Sequence, residues 1–402
     1  MNKKIKMKVN LSLILLLMLV LTSAYSRVVE SDDKLSIIVT PPNNYNAKDT
    51  VHIVGNFNNW ALSGSEAYLL KYTEGKLVTD LPNIQQDIFF NFVRNSDWKS
   101  LPSRKTGNSL CDFIHEKNDS VHQIKVKIPA WKDEIPTKLA AKTITGHVQT
   151  IEKFAMPQLN RVTDVSIYFP PYYKENTQQS YPVLYMFDGQ NIFDDSTAYG
   201  DEWHVDESLE NLILKGELNE FIVVAIANGP RRWNEYNPWD YKSRDTQIEE
   251  IGEGNKTITF IKDSLKPFID KNYRTKEEST STGLAGSSLG GLMALYGAME
   301  YSDIFGFVAA FSPALAVENM AGNSVLFEAL KNKKKMDSVK IYVDMGKDEY
   351  GTYKEVDFLH KLLLESGVTE KNLKLVKDDL GRHCELDWSK RFPEAIKWIF
   401  NE

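Results

Sequence analysis

A chain of 402 residues is long enough for two or three folded units. Its 42% hydrophobic and 26% charged residues exclude a mainly disordered chain, a collagen-like repeat and a protein with many membrane spans. Lysine and arginine number 48 against 55 acidic residues, a net charge of −7 without a basic tract, which argues against a nucleic-acid partner; two cysteines, Cys111 and Cys384, exclude a disulfide-dense scaffold and any CxxC-type zinc site.

The first 26 residues read as a signal peptide. Lys3, Lys4, Lys6 and Lys8 precede a Leu-rich run from Leu11 to Leu21, too short to span a bilayer comfortably. Small residues then suit cleavage after Ser26 or Ala24. The alternative is an uncleaved anchor. The expected location is secreted or periplasmic, with no membrane association after cleavage. Loss of the four lysines takes the net charge from −7 to −11. Export permits a Cys111–Cys384 disulfide, and the sequence leaves open whether the two thiols meet.

Residues 27–130 are expected to form an all-β sandwich of immunoglobulin-like type. Short β-rich runs (Leu35 to Val39, Val51 to Val54, Ile88 to Val93 and Val121 to Ile128) are separated by turn residues. Residues 131–145 read as a linker. From residue 146 to 402 apolar strand candidates alternate with helices: Val165 to Phe169, Val183 to Phe187, Phe221 to Ala227, Phe305 to Phe311, Val339 to Val343 and Leu373 to Val376 as strands, and Phe260 to Tyr273, Leu289 to Met299, Tyr353 to Ser366 and Phe392 to Phe400 as helices. That texture implies an α/β fold, a mainly parallel sheet with helices on both faces.

Gly286-Ser287-Ser288-Leu289-Gly290 fits G-x-S-x-G between a strand end and a helix. A nucleophilic serine there sits on a strained turn, and glycines two before and two after it relieve the crowding. A serine hydroxyl needs a base, and the base needs a group to orient it. In chain order the acid and then a histidine should follow. His383, in the loop after the last strand, is the expected base. His360 lies within a helix and reads as a packing or surface residue. Glu349 and Asp348 both follow the strand ending at Val343, and the residues alone leave them as alternatives. Asp344 reads as structural. The oxyanion donors are expected to be the backbone N–H groups of Leu289 and Gln190.

These stretches, with Leu184 to Asp194, Arg232-Trp233-Asn234-Glu235-Tyr236 and Gly381 to Trp388, resemble the esterase D-like group of α/β-hydrolases. That group includes feruloyl, acetylxylan and enterochelin esterases. The resemblance covers residues 146–402 and implies an α/β-hydrolase fold and ester hydrolysis through an acyl-serine, without metal or organic cofactor. It also implies an acid three residues after Gly346, which favours Glu349. Trp203, Arg232, Trp233 and Tyr236 are expected to line the mouth of the site and bind substrate.

In the front unit, Val51 to Trp60 and Phe92 to Trp98 look like the signatures of starch- and glycogen-binding sandwich modules. The resemblance gives Trp60 and Trp98 a sugar-stacking role, although Asn91 stands where some binders carry lysine. The bland alternative is a module that only shapes the neighbouring site. The combined reading is a secreted serine carboxylesterase removing feruloyl or acetyl groups from a polysaccharide- or oligosaccharide-linked ester. The alternatives are a siderophore (enterochelin-type) esterase and a non-catalytic glycan-binding protein.

Overall fold

Alternation starts the front unit. In Lys34–Thr40 (β1) Leu35, Ile37 and Val39 are buried and their neighbours are half-exposed or exposed, the period-2 pattern of a strand with one covered face. The computed structural model describes residues 34–401 apart from 83–85, 119, 136–140, 244–246, 333–335, 348 and 350–352. The expected signal peptide, the alternative acid Asp348 and part of the expected linker therefore lie outside the described residues.

Val51–Gly55 (β2), Tyr68–Thr73 (β3), Lys76–Pro82 (β4), Ile88–Arg94 (β5), Phe113–His115 (β6) and Gln123–Lys127 (β7) complete the front sheet. Its hydrogen-bonded order is β6-β5-β2-β3-β4-β1-β7, antiparallel except where β1 meets β7. The inward residues, among them Ile37, Val39, Ile53, Leu77, Phe90 and Phe92, share one core. Trp131 is fully buried in that core, and Asp133 and Glu134 both ion-pair with Arg94. The front unit thus runs on through Glu134. The linker expected to start at 131 begins later, because a buried indole anchors its first residues.

The second sheet contains His147–Met156 (β8), Arg161–Phe169 (β9), Val183–Phe187 (β10), Ile222–Ile226 (β11), Thr282–Ser287 (β12), Phe307–Phe311 (β13), Lys340–Gly346 (β14) and Leu373–Asp378 (β15). Its order is β8-β9-β11-β10-β12-β13-β14-β15, antiparallel at β8/β9 and β9/β11 and parallel from there on. Both faces are covered, so the central strands are apolar throughout rather than alternating. Val205–Leu214 (α1) and Glu385–Asn401 (α6) pack on one face. The helical stretch 254–272 (α2), Leu289–Glu300 (α3), Val325–Lys331 (α4) and Tyr353–Glu365 (α5) pack on the other. No helix among the described residues is long and apolar enough to cross a membrane.

The two units meet along a polar seam closed by one covalent bond. Cys111 and Cys384 form a disulfide with their Cα atoms 5.7 Å apart, which answers the question the sequence left open. Around it Lys347 Nζ lies 2.8 Å from Asp87 Oδ2, and Asn108 Nδ2 donates to Asp195 Oδ1 at 2.6 Å. Lys132 Nζ donates to the Tyr199 carbonyl at 2.6 Å and lies over that ring.

Candidate active site

Ser288 stands between β12 and α3 with φ 56° and ψ −123°, a conformation that a non-glycine residue adopts only where its surroundings impose it. Its neighbours do so. A Cβ on Gly286 would come within 2.8 Å of the Gly290 carbonyl carbon, and one on Gly290 within 3.0 Å of Phe187 Cβ. A side chain at Gly286 would thus collide with backbone, and one at Gly290 would press tightly on Phe187. The Ser288 N–H donates to the Phe311 carbonyl at 3.0 Å, and its own carbonyl accepts from Leu292 and Ala314. The turn is held on both sides by backbone.

Glu349 follows β14, and His383 stands in the loop after β15. His383 Nδ1 lies 2.9 Å from Glu349 Oε2, and the glutamate side chain is 1% exposed. The other carboxylate oxygen accepts the Gly346 N–H at 2.9 Å and faces Arg391 Nη2 at 3.7 Å. With Nδ1 against Glu349, proton exchange with a reacting group is assigned to Nε2. Trp388 sets its ring edge-on to the imidazole at 5.0 Å. Asp344 is fully buried and holds Ser312 N and Arg391 Nε, each at 3.0 Å, the structural role expected of it.

Ser288 and His383 line one cavity of about 550 Å³ with Asp188, Gln190, Asn191, Tyr199, Arg232, Trp233 and Glu385 among its walls. Gln190 belongs to a short 3₁₀ turn, Gly189–Asn191, that follows β10. Asp188 enters this turn at φ 58°, and a Cβ on Gly189 would come within 2.5 Å of the Ile226 nitrogen, so the loop lies hard against β11. The Gln190 side chain accepts the Asn228 N–H at 3.2 Å, fixing the residue. Leu289 opens α3, where backbone N–H groups lack intrahelical acceptors. The cavity therefore combines a strained serine, an oriented imidazole and two backbone segments suited to an oxyanion.

The residues expected to bind substrate divide. Arg232 and Trp233 line the cavity, and Trp233 is 49% exposed. Arg232 grips Asp188 with two hydrogen bonds of 2.6 and 2.7 Å, so its charge is largely spent within the wall. Trp203 is corrected to a packing residue. It is 1% exposed beneath the site and wedged against Phe311, Trp388 and Phe392. Tyr236 is likewise 1% exposed, edge-on to Phe187, and its hydroxyl accepts the Asp188 N–H. It supports the Asp188 turn instead of touching substrate. In the front unit, Trp60 follows the Gly55 end of β2, whereas Trp98 follows the Arg94 end of β5 and is 45% exposed. Gly55 pairs with Phe90 and Val51 with Arg94, so the two turns leave opposite ends of that strand pair.

Sequence reasoning missed Glu385. Burial, with the negative charge of Asp188 nearby, pushes its carboxyl up to about 7. Asn191 Nδ2 donates to it at 3.0 Å. Its position two residues after the expected base was the available signal. Among the described residues, one further cluster brings possible ligand atoms together: those of Glu202, His204 and Glu207 lie within 4.8 Å of one another. There the two glutamates push the His204 imidazole up to about 10, so the histidine itself balances their charge.

The model of a family described as "Putative esterase" matches residues 157–399. An uncharacterized protein, YbbA of Bacillus subtilis strain 168, is 25% identical over 246 residues, 59% of this chain and 92% of that protein. An endo-1,4-beta-xylanase/feruloyl esterase of Xylanibacter ruminicola is 26% identical over 167 residues, 40% of this chain and only 21% of that protein. Among solved structures, the enterobactin esterase FES from Shigella flexneri, in the presence of enterobactin, superposes with a TM-score of 0.58 at 14% identity, covering 91% of this chain and 92% of that one. A ferulic acid esterase superposes at 0.50 with 20% identity, covering 63% of this chain and 97% of that one. Those likenesses are of fold.

Proposed function

This chain belongs to the esterase family matched over residues 157–399, and from that premise we propose that it is a serine carboxylic-ester hydrolase working through an acyl-serine intermediate. The observation that carries the mechanism is the His383–Glu349 contact of 2.9 Å in a cavity that also holds the strained Ser288. Ser288 Oγ attacks the ester carbonyl while His383 Nε2 takes its proton. The C–O bond to the alcohol breaks, and the proton passes to the departing oxygen. Water then repeats the sequence on the acyl-serine and releases the acid. Glu349 stabilises the imidazolium, and the N–H groups of Leu289 and Gln190 receive the oxyanion.

The substrate class follows from the walls. Asp188 and Glu385 bring two carboxyl groups against the single guanidinium of Arg232, which Asp188 already holds. With Asp188 paired to Arg232 and the Glu385 carboxyl raised to about 7, the walls carry little net charge at neutral pH and suit a neutral ester. The exposed face of Trp233 offers an apolar plane for a phenolic ring or a pyranose. A feruloyl or acetyl ester of a carbohydrate is the reading preferred, and the Xylanibacter ruminicola relative supports it by name. Export through residues 1–26, and a glycan-binding, immunoglobulin-like front unit using Trp60 and Trp98, complete the proposal.

Comparison of kcat/KM for methyl ferulate, acetylated xylan and a ferric catecholate tests the substrate class. A clear preference for the catecholate overturns it. Loss of p-nitrophenyl acetate turnover in Ser288→Ala is the result expected of the mechanism, and unchanged turnover refutes it.

A further inference from the structure

The front unit reaches the cavity through the loop between the 3₁₀ turn Gly189–Asn191 and helix α1. Three contacts tie that loop to it. Asn108 Nδ2 donates to Asp195 Oδ1 at 2.6 Å, Arg104 Nη2 lies 3.1 Å from Asp201 Oδ1, and Lys132 Nζ donates to the Tyr199 carbonyl at 2.6 Å. The groups that make these ties are themselves held. The Arg104 N–H donates to the Asn108 carbonyl at 2.8 Å, closing the turn between them. Lys132 follows the fully buried Trp131, and its Nζ also donates to the Gly107 carbonyl at 2.7 Å.

Tyr199 stands where these ties converge. Its N–H donates to Asn191 Oδ1 at 2.8 Å, so the 3₁₀ turn holds one side of its backbone and the front unit the other. Tyr199 lines the cavity that holds Ser288 and His383, yet it is 61% exposed, so packing does not account for its placement. With Trp233 it gives the cavity two aromatic side chains open to a ligand. The Lys132 ammonium stands over the Tyr199 ring, 4.6 Å from its centroid. A cation over one face of a phenol ring draws π density toward itself. The remaining face then stacks better on an electron-rich aryl group than on the C–H bonds of a sugar.

We propose that Tyr199 is a specificity-determining residue that contacts a planar, electron-rich aryl acyl group, and that Lys132 of the front unit positions it. The proposal rests on the reading of this cavity as an ester-hydrolase site and deepens it. Of the feruloyl and acetyl groups, only the feruloyl presents such a ring close to the carbonyl that Ser288 attacks. No bond forms or breaks at Tyr199, so its contribution is to binding. The front unit thereby shapes the choice of acyl group without supplying a catalytic residue.

The test compares kcat/KM for methyl ferulate and methyl acetate, two esters of one alcohol, using the full chain. Tyr199→Ala should lower the ferulate-to-acetate ratio roughly tenfold, mainly through KM for the ferulate, and Tyr199→Phe should restore it. Lys132→Met keeps the stem, removes the ammonium and should lower the ratio roughly threefold. A wild-type ratio in Tyr199→Ala overturns the inference, whether both rates hold or both fall together. So does a Tyr199→Phe enzyme as impaired as Tyr199→Ala, or a wild type that leaves methyl ferulate intact. A wild-type ratio in Lys132→Met overturns the positioning role of the front unit. Ser288→Ala separates the two levels: if it still turns over methyl ferulate, the serine-esterase reading itself is wrong, whereas its inactivity beside a silent Tyr199→Ala defeats only the present inference.

Discussion

The turn that carries Ser288 is fixed from within its own sheet, whereas the loop that carries His383 is tied to a different folding unit. Around the serine the constraints come from its own unit: Gly286 against Gly290, Gly290 against Phe187, and three backbone hydrogen bonds to Leu292, Phe311 and Ala314. Around the histidine they cross to the other unit. The disulfide to its neighbour spans 273 residues, and the Arg382–Asp112 contact spans 270. A strained nucleophile needs a rigid backbone, which close packing supplies. A base that gains and loses charge needs an electrostatic surround, and that can be assembled from distant chain segments.

The sharpest way to break this comparison is at the chemistry. Ser288→Ala should lower kcat by roughly 10⁵- to 10⁶-fold, and Glu349→Gln by roughly 10⁴-fold, because a misoriented imidazole still leaves the oxyanion donors in place. Steady-state rates on p-nitrophenyl acetate check both. A Glu349→Gln enzyme as active as the wild type would mean that His383 is oriented mainly from the front unit.

Two tryptophans then separate support from contact. Trp203→Ala empties a site walled by Phe311, Trp388 and Phe392 and should lose about 3–5 kcal/mol of stability, read by denaturant unfolding. Trp233→Ala removes a half-exposed ring, so its midpoint should stay put while KM for methyl ferulate rises several-fold. If Trp203→Ala unfolds like the wild type, its packing role is wrong.

The same pair shows what was legible in the chain. Both tryptophans follow strands in aromatic, polar loops, and nothing in local sequence tells a ring that turns under the sheet from one that turns out over the cavity. The serine turn was legible because its requirement is local, glycines at fixed offsets from a residue between strand and helix. His383 was legible from chain order. Glu349 was separated from Asp348 only by resemblance, since two adjacent carboxylates differ in direction and not in composition. Helix Val205–Leu214 is absent from the expected elements, although Val205, Leu209, Leu212 and Ile213 mark its buried face. Glu385 was legible only by its place two residues after His383, because its raised carboxyl depends on burial that only the packed cavity creates.

A glycine at the serine turn offers an intermediate test. Gly290→Ala places a methyl group 3.0 Å from Phe187 Cβ and should destabilise the protein by about 1–3 kcal/mol, with loss of turnover as the turn shifts. An equally stable and active variant would show that the elbow is looser than its packing implies.

The smallest effect expected concerns Glu385, whose carboxyl is raised to about 7 by burial first and Asp188 second. Its unfolded value is that of an ordinary glutamate, near 4.3. Between those values the folded protein holds a proton that the unfolded chain has lost, so stability declines as pH rises through this window. Above about 7 the cavity contains a buried carboxylate beside Asp188, and the penalty is fully developed. Glu385→Gln removes that titration while keeping the shape and the means to pair with Asn191. The Tm difference between variant and wild type should therefore grow in the variant's favour from pH 5 to pH 8, by roughly 2 °C. Calorimetry at the two pH values checks it. A difference that is constant with pH would mean that Glu385 titrates as a solvated group, and the cavity wall would then be more anionic at neutral pH than its burial implies.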